Sequence, residues 1–80
     1  LYKIPKTLEP HVLILKYDKA DMDNILQIIR KNSLSNKLIS QTANLGQGEV
    51  VYKIRPKDND NLLKEIRALK GINEASLLLY

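Results

Sequence analysis

The sequence predicts an α+β fold: a ferredoxin-like βαββαβ sandwich, with a four-stranded antiparallel sheet carrying two helices on one face. Three observations lead there. Two segments space their apolar residues at a helical period, four others are short runs rich in Val, Ile, Leu and Tyr, and their order is strand, helix, strand, strand, helix, strand. Right-handed crossovers then place the first and third strands centrally and the second and fourth at the edges.

Residues 1–10 carry Pro5 and Pro10 and no clean period, which reads as a lead-in, leaving 11–80 as one domain. His11 to Tyr17 is apolar on both faces, the pattern of a central strand covered on each side. Met22, Ile25, Leu26 and Ile29 form a helical stripe, with Asp18, Asp21 and Asp23 before or within its first turn and Arg30 and Lys31 at its end. The first helix is therefore expected over about residues 20–32.

Lys37 to Asn44 alternates loosely, as an exposed edge strand does. Gly46 and Gly48 mark the following turn, and Glu49 to Arg55 alternates cleanly, with Val50, Tyr52 and Ile54 on one face. Pro56 stops that strand. Asp58, Asn59 and Asp60 offer caps for a second helix whose apolar face is Leu62, Leu63, Ile66 and Leu69, and Gly71 stands where a left-handed helix cap belongs. Ala75 to Tyr80 is the final strand.

Eighty residues, 44% hydrophobic and 28% charged, suffice for one domain that buries about 63% of its extended-chain surface. Without cysteine, neither disulfides nor thiolate–metal sites can supplement so modest a core. The longest apolar runs are four residues, far short of the roughly 20 that span a bilayer as a helix. The chain opens on Leu1 rather than methionine, from which we expect a segment of a longer protein.

No catalytic constellation, metal site or cofactor site emerges. His11 is the sole histidine and no neighbouring motif supplies a nucleophile or orienting group. Asp18, Asp21 and Asp23 lack the glycine and terminal glutamate of a calcium loop, so helix capping accounts for them better. The segment from Leu45 to Gly48 joins two strands, whereas phosphate-binding loops lead into a helix. Nucleic acid is disfavoured as a partner, because the central strands lack the stacking aromatics of RNA-recognition domains. A net charge of +4 leaves one basic feature: Lys53 and Arg55 share a strand face, with Lys57 just beyond, a candidate contact for an anionic ligand or lipid surface.

The fourth strand is the anomaly. Leu77, Leu78, Leu79 and Tyr80 put apolar groups on both faces of an edge strand, which is a pairing hazard unless a partner covers it. Leu77, Leu79 and Val51 are the candidate interface, and a homodimer or higher oligomer is expected.

The run from Ile39 to Gly46, the strand Glu49 to Arg55, the helix segment Leu62 to Arg67 and the Gly71–Ile72 step resemble ACT-like domains. More particularly, residues 11–80 are similar to the cytoplasmic C-terminal domains of certain bacterial multi-pass membrane proteins of unknown function, with a layout comparable to MgtC-type proteins. The resemblance implies a cytoplasmic module, at the inner face of the membrane, that pairs with a second copy and works beside the remainder of its parent protein. Amino-acid-sensing ACT domains usually carry a glycine in the loop after the first strand, whereas this chain has Tyr17, Asp18, Lys19 and Ala20 there. The leading expectation is thus a non-enzymatic regulatory or assembly domain acting through self-association. The alternative is a small-metabolite sensor with Tyr17, Asp18 and Asp21 as its ligand loop, and RNA binding ranks third.

Overall fold

The computed structural model describes residues 9–80, so the expected lead-in lies, but for Glu9 and Pro10, outside the described residues. The elements run β1 (His11–Asp18), α1 (Met22–Asn32), β2 (Ser33–Asn44), β3 (Gln47–Pro56), α2 (Asn59–Arg67) and β4 (Ile72–Leu79). They form one antiparallel sheet in the order β2-β3-β1-β4, the ferredoxin-like arrangement with β1 and β3 central.

Local chemistry sets the boundaries. Asp21 holds an extended backbone and its carboxylate accepts from the N–H groups of Asp23 and Asn24, so α1 starts at Met22. Asp58 does the same for α2 through the N–H of Asn61, at 3.1 Å. At the end of α1 the Asn32 amide donates to the Ile28 carbonyl and the Ser33 hydroxyl to that of Ile29. The Ser33 hydroxyl thus satisfies one of the last helical carbonyls, and the chain enters β2 at Ser33 with no intervening loop.

The hairpin turn is Leu45–Gly46, with φ of +54° and +83° between the paired residues Asn44 and Gln47. Two consecutive positive φ angles make a two-residue turn whose twist suits the flanking strands. Gly48 lies inside β3, where a Cβ would stand 2.5 Å from both the Thr42 carbonyl and the Tyr17 hydroxyl. Gly71 has the expected left-handed backbone, φ +90°, but it does not cap α2. That helix ends at Arg67, and Leu69 closes a tighter turn back to the Ile66 carbonyl before Gly71 reverses the chain. The Gly71 carbonyl instead accepts from the N–H of Asp18 at 2.7 Å, tying the α2–β4 turn to the end of β1.

Alternate residues of the two central strands, Leu13, Leu15 and Tyr17 with Val50, Tyr52 and Ile54, meet Ile25 and Ile29 of α1 and Leu62 and Ile66 of α2. Ala75 and half-buried Leu77 extend this core from β4. The expectation that β1 is covered on both sides is corrected: helices occupy one face only, and Val12 and Ile14 lie half-buried on the other. Strand β3 runs from Gln47 through Pro56 rather than from Glu49 to Arg55, since the turn takes only two residues, and two further strands begin earlier than expected. β2 begins at Ser33 rather than Lys37 and β4 at Ile72 rather than Ala75. Register shifts between Ser33 and Asn36, and beside Ile72, interrupt the alternation that would have revealed those beginnings. Beyond Ser33, β2 is exposed along its length.

Candidate functional site

The helix-free face of the sheet is ordered into rows by the strand registers. One row runs Lys37 (β2), Lys53 (β3), Val12 (β1) and Leu78 (β4); the next runs Ser40, Val51, Ile14 and Ser76; the third runs Thr42, Glu49, Lys16 and Glu74. Apolar groups therefore hold the middle. The third row mixes both signs, with Lys16 and Glu74 paired at 3.5 Å. At the opposite end the charged side chains of the described strands are cations, with Arg55 two residues beyond Lys53 on the same face.

The two edges differ. β2 has register shifts at Ser33–Asn36 and at Leu38–Ser40, with Lys37 between them, and such bulges and lysines discourage edge pairing. β4 is irregular only at its start, opposite Lys16 and Tyr17, and from Ala75 to Leu79 it carries no charge. Its hydrogen-bonding pattern is readable. The Ala75 carbonyl is turned outward to the Arg67 guanidinium at 3.0 Å, while the N–H of Tyr80 is turned inward to the Pro10 carbonyl at 3.0 Å. Antiparallel strands alternate these directions, so the outward N–H and C=O groups beyond Ala75 belong to Leu77 and Leu79. Leu78, Leu79 and Tyr80 flank them at 53%, 67% and 69% exposure.

The expected interface residues do not form one patch. Val51 is on the helix-free face, whereas Leu77 packs against the core and Leu79 follows it on the helix side. The residue that shares a face with Val51 is Leu78. Of the expected anion contacts, Lys53 and Arg55 line one hollow of about 110 Å³, which Lys57 does not reach. Lys57 instead extends the chain past Pro56, its N–H bonded to the Asn32 carbonyl at 2.8 Å. Lys37, absent from the expected set, lines that hollow together with Ser35 and Asn36.

The proposed ligand loop also divides. Tyr17 is buried over Gly48 and lines an open hollow of about 430 Å³ near the hairpin turn. Asp21 lines a separate hollow of about 190 Å³ with Lys19, Asn24 and Leu69, and its carboxylate is already occupied in capping α1. Asp18 lines neither. Lys19, at φ +53°, donates its N–H to the Gly46 carbonyl at 2.8 Å, so the loop is held by both neighbouring turns.

Other polar groups serve the fold. His11 is buried, with Nδ1 2.7 Å from the Glu9 carbonyl and Nε2 3.2 Å from the Asn59 amide. Between the helices, Glu65 accepts from Lys31 and from the amides of Asn32 and Asn61, and the first two bonds hold its carboxyl below the usual range. Burial raises the Tyr52 hydroxyl, opposed by the charge of Arg30.

Lys37 is the residue that sequence reasoning missed, while Leu78 and Tyr80, read as part of the apolar fourth strand, were left out of the candidate interface. A signal existed for Leu78, since strand alternation sets it opposite Leu77 and Leu79. Nothing in the sequence states that Lys37 faces Lys53, because that depends on the register of a bulged strand. Among the described residues no helix is long and apolar enough to cross a membrane. Compared with known families and with curated proteins, the chain matches no family model and no curated relative.

Proposed function

We propose that the chain is a non-enzymatic regulatory or assembly domain of a larger protein, working by self-association through β4. Two copies meet antiparallel, and their sheets continue as one. The observation that carries this reading is the unguarded stretch at Leu77 and Leu79, whose outward backbone groups lie beside exposed Leu78, Leu79 and Tyr80. The opposite edge is defended by two bulges and a lysine. Strand addition takes its affinity from main-chain hydrogen bonds and its selectivity from the flanking side chains, which suits a module that joins copies of itself. A bacterial membrane protein as the parent, with the domain on its cytoplasmic side, belongs to the same proposal through the ACT-like resemblance.

Sedimentation velocity over a concentration series tests it. The chain should form a dimer, and Leu79→Pro should abolish it, because proline removes an outward N–H while an edge strand tolerates the loss. Circular dichroism should show the variant folded. A wild-type chain that stays monomeric throughout, or a Leu79→Pro variant that dimerises equally well, contradicts the proposal.

A further inference from the structure

We infer that the hollow formed by the first bulge of β2 is a binding site for a phosphate group, with Lys37, Lys53 and Arg55 as its cations and Ser35 as a neutral donor. The hollow lies at the opposite edge of the sheet from β4 and meets the β4 end through the contact of Lys53 with Tyr80.

The bulge shapes the hollow. Ser33 pairs with Pro56 and Asn36 with Ile54, so β2 places two residues, Leu34 and Ser35, opposite Arg55 alone. A bulge of this kind leaves a residue outside the ladder and bends the strand, and such irregularities are over-represented at sites that bind. The ladder between β1 and β3 ends beside it at the His11–Ile54 pair, and Pro10 closes the other wall of the hollow.

Charge selects the ligand. Lys37 and Lys53 are direct cross-strand neighbours on one face, an arrangement that costs stability when nothing lies between the charges. Arg55 adds a third cation on that face. No described residue lining the hollow is acidic, and the nearest carboxylate of β3 on this face, Glu49, is four residues from Lys53, about 13 Å along the strand. The Lys53 ammonium rests 4.2 Å from the centre of the Tyr80 ring. That exposed contact is weaker than a charge-assisted hydrogen bond, so an arriving anion can draw the ammonium to itself. Three cations and a hydroxyl around a hollow of about 110 Å³ match a tetrahedral oxyanion better than a planar carboxylate, for which one arginine fork suffices.

The test follows amide chemical shifts at low salt during titration with inorganic phosphate, with pyrophosphate, and with vesicles of phosphatidylcholine alone or mixed with phosphatidylglycerol. The expected result is a saturable shift confined to Ser35, Asn36, Lys37, Lys53 and Arg55. Lys37→Gln and Arg55→Gln should each weaken it about tenfold or more. Lys37 is exposed and its substitution relieves a repulsion, so the Lys37→Gln spectrum should stay that of the folded chain. Saturation by free phosphate or pyrophosphate identifies a soluble phosphorylated ligand. Binding only to the phosphatidylglycerol vesicles, still weakened by both variants, identifies a lipid headgroup. No response to any probe overturns the inference, as does a response the two variants leave unchanged.

Discussion

Lys37 of β2 and Lys53 of β3 stand directly opposite one another on the helix-free face of the sheet, with no carboxylate in their row. Like charges in this position destabilise a sheet, and opposite charges contribute roughly 0.2–1 kcal/mol. Lys37→Glu should therefore raise stability by about 0.5 kcal/mol in low-salt buffer free of multivalent anions. Urea denaturation checks this, and the gain should shrink as salt screens the pair.

Leu45 is 93% exposed and sits at φ +54°, so it carries the steric penalty of the left-handed region without burying its side chain. A leucine there costs about 1 kcal/mol relative to a residue that accepts the conformation. Leu45→Asn should shift the thermal midpoint upward by about 4–8 °C for each kcal/mol gained in a domain of this size. An unchanged midpoint would mean that the turn relaxes elsewhere.

Gly71 predicts the opposite sign. A Cβ would lie 2.6 Å from the Asp18 carbonyl oxygen, a backbone atom, at a φ of +90°. Gly71→Ala should destabilise by about 1–3 kcal/mol, the range for strained backbone. It should also disturb the Asp18–Gly71 hydrogen bond, visible as faster exchange of the Asp18 amide.

Acid should weaken the contact between the helices. Glu65 titrates below the ordinary glutamate value of about 4.3, because Lys31 and Asn32 bond its charged form. Its contribution is complete above that ordinary value and is lost as pH falls from there through the lowered one. Stability curves of wild type and Glu65→Gln should accordingly run parallel at neutral pH and converge under acid. Parallel curves down to the acid limit would contradict the assignment.

The fold was legible in the sequence because its signals are local. Asp21 and Asp58 cap helices where they were expected to, the stripe at Ile25 and Ile29 faces the core, and Val50, Tyr52 and Ile54 share one buried face. What escaped depends on pairing between strands. Val51, Leu77 and Leu79 look alike in sequence, yet register sends Val51 to one face and the leucines to the other. Of the cationic hollow, Lys53 and Arg55 were legible on one strand face, whereas Lys37 escaped for the same reason, since the register of a bulged strand brings it opposite Lys53. Alternation gives a residue's side within its own strand, and a bulge resets it.

Amide hydrogen exchange at two protein concentrations tests the central claim most directly. If β4 is the joining edge, the amides of Leu77 and Leu79 should exchange rapidly when dilute and become protected when concentrated, while the outward amides of β2 stay fast. Protection that appears along β2 instead, or no change at Leu77 and Leu79, would contradict assembly through β4.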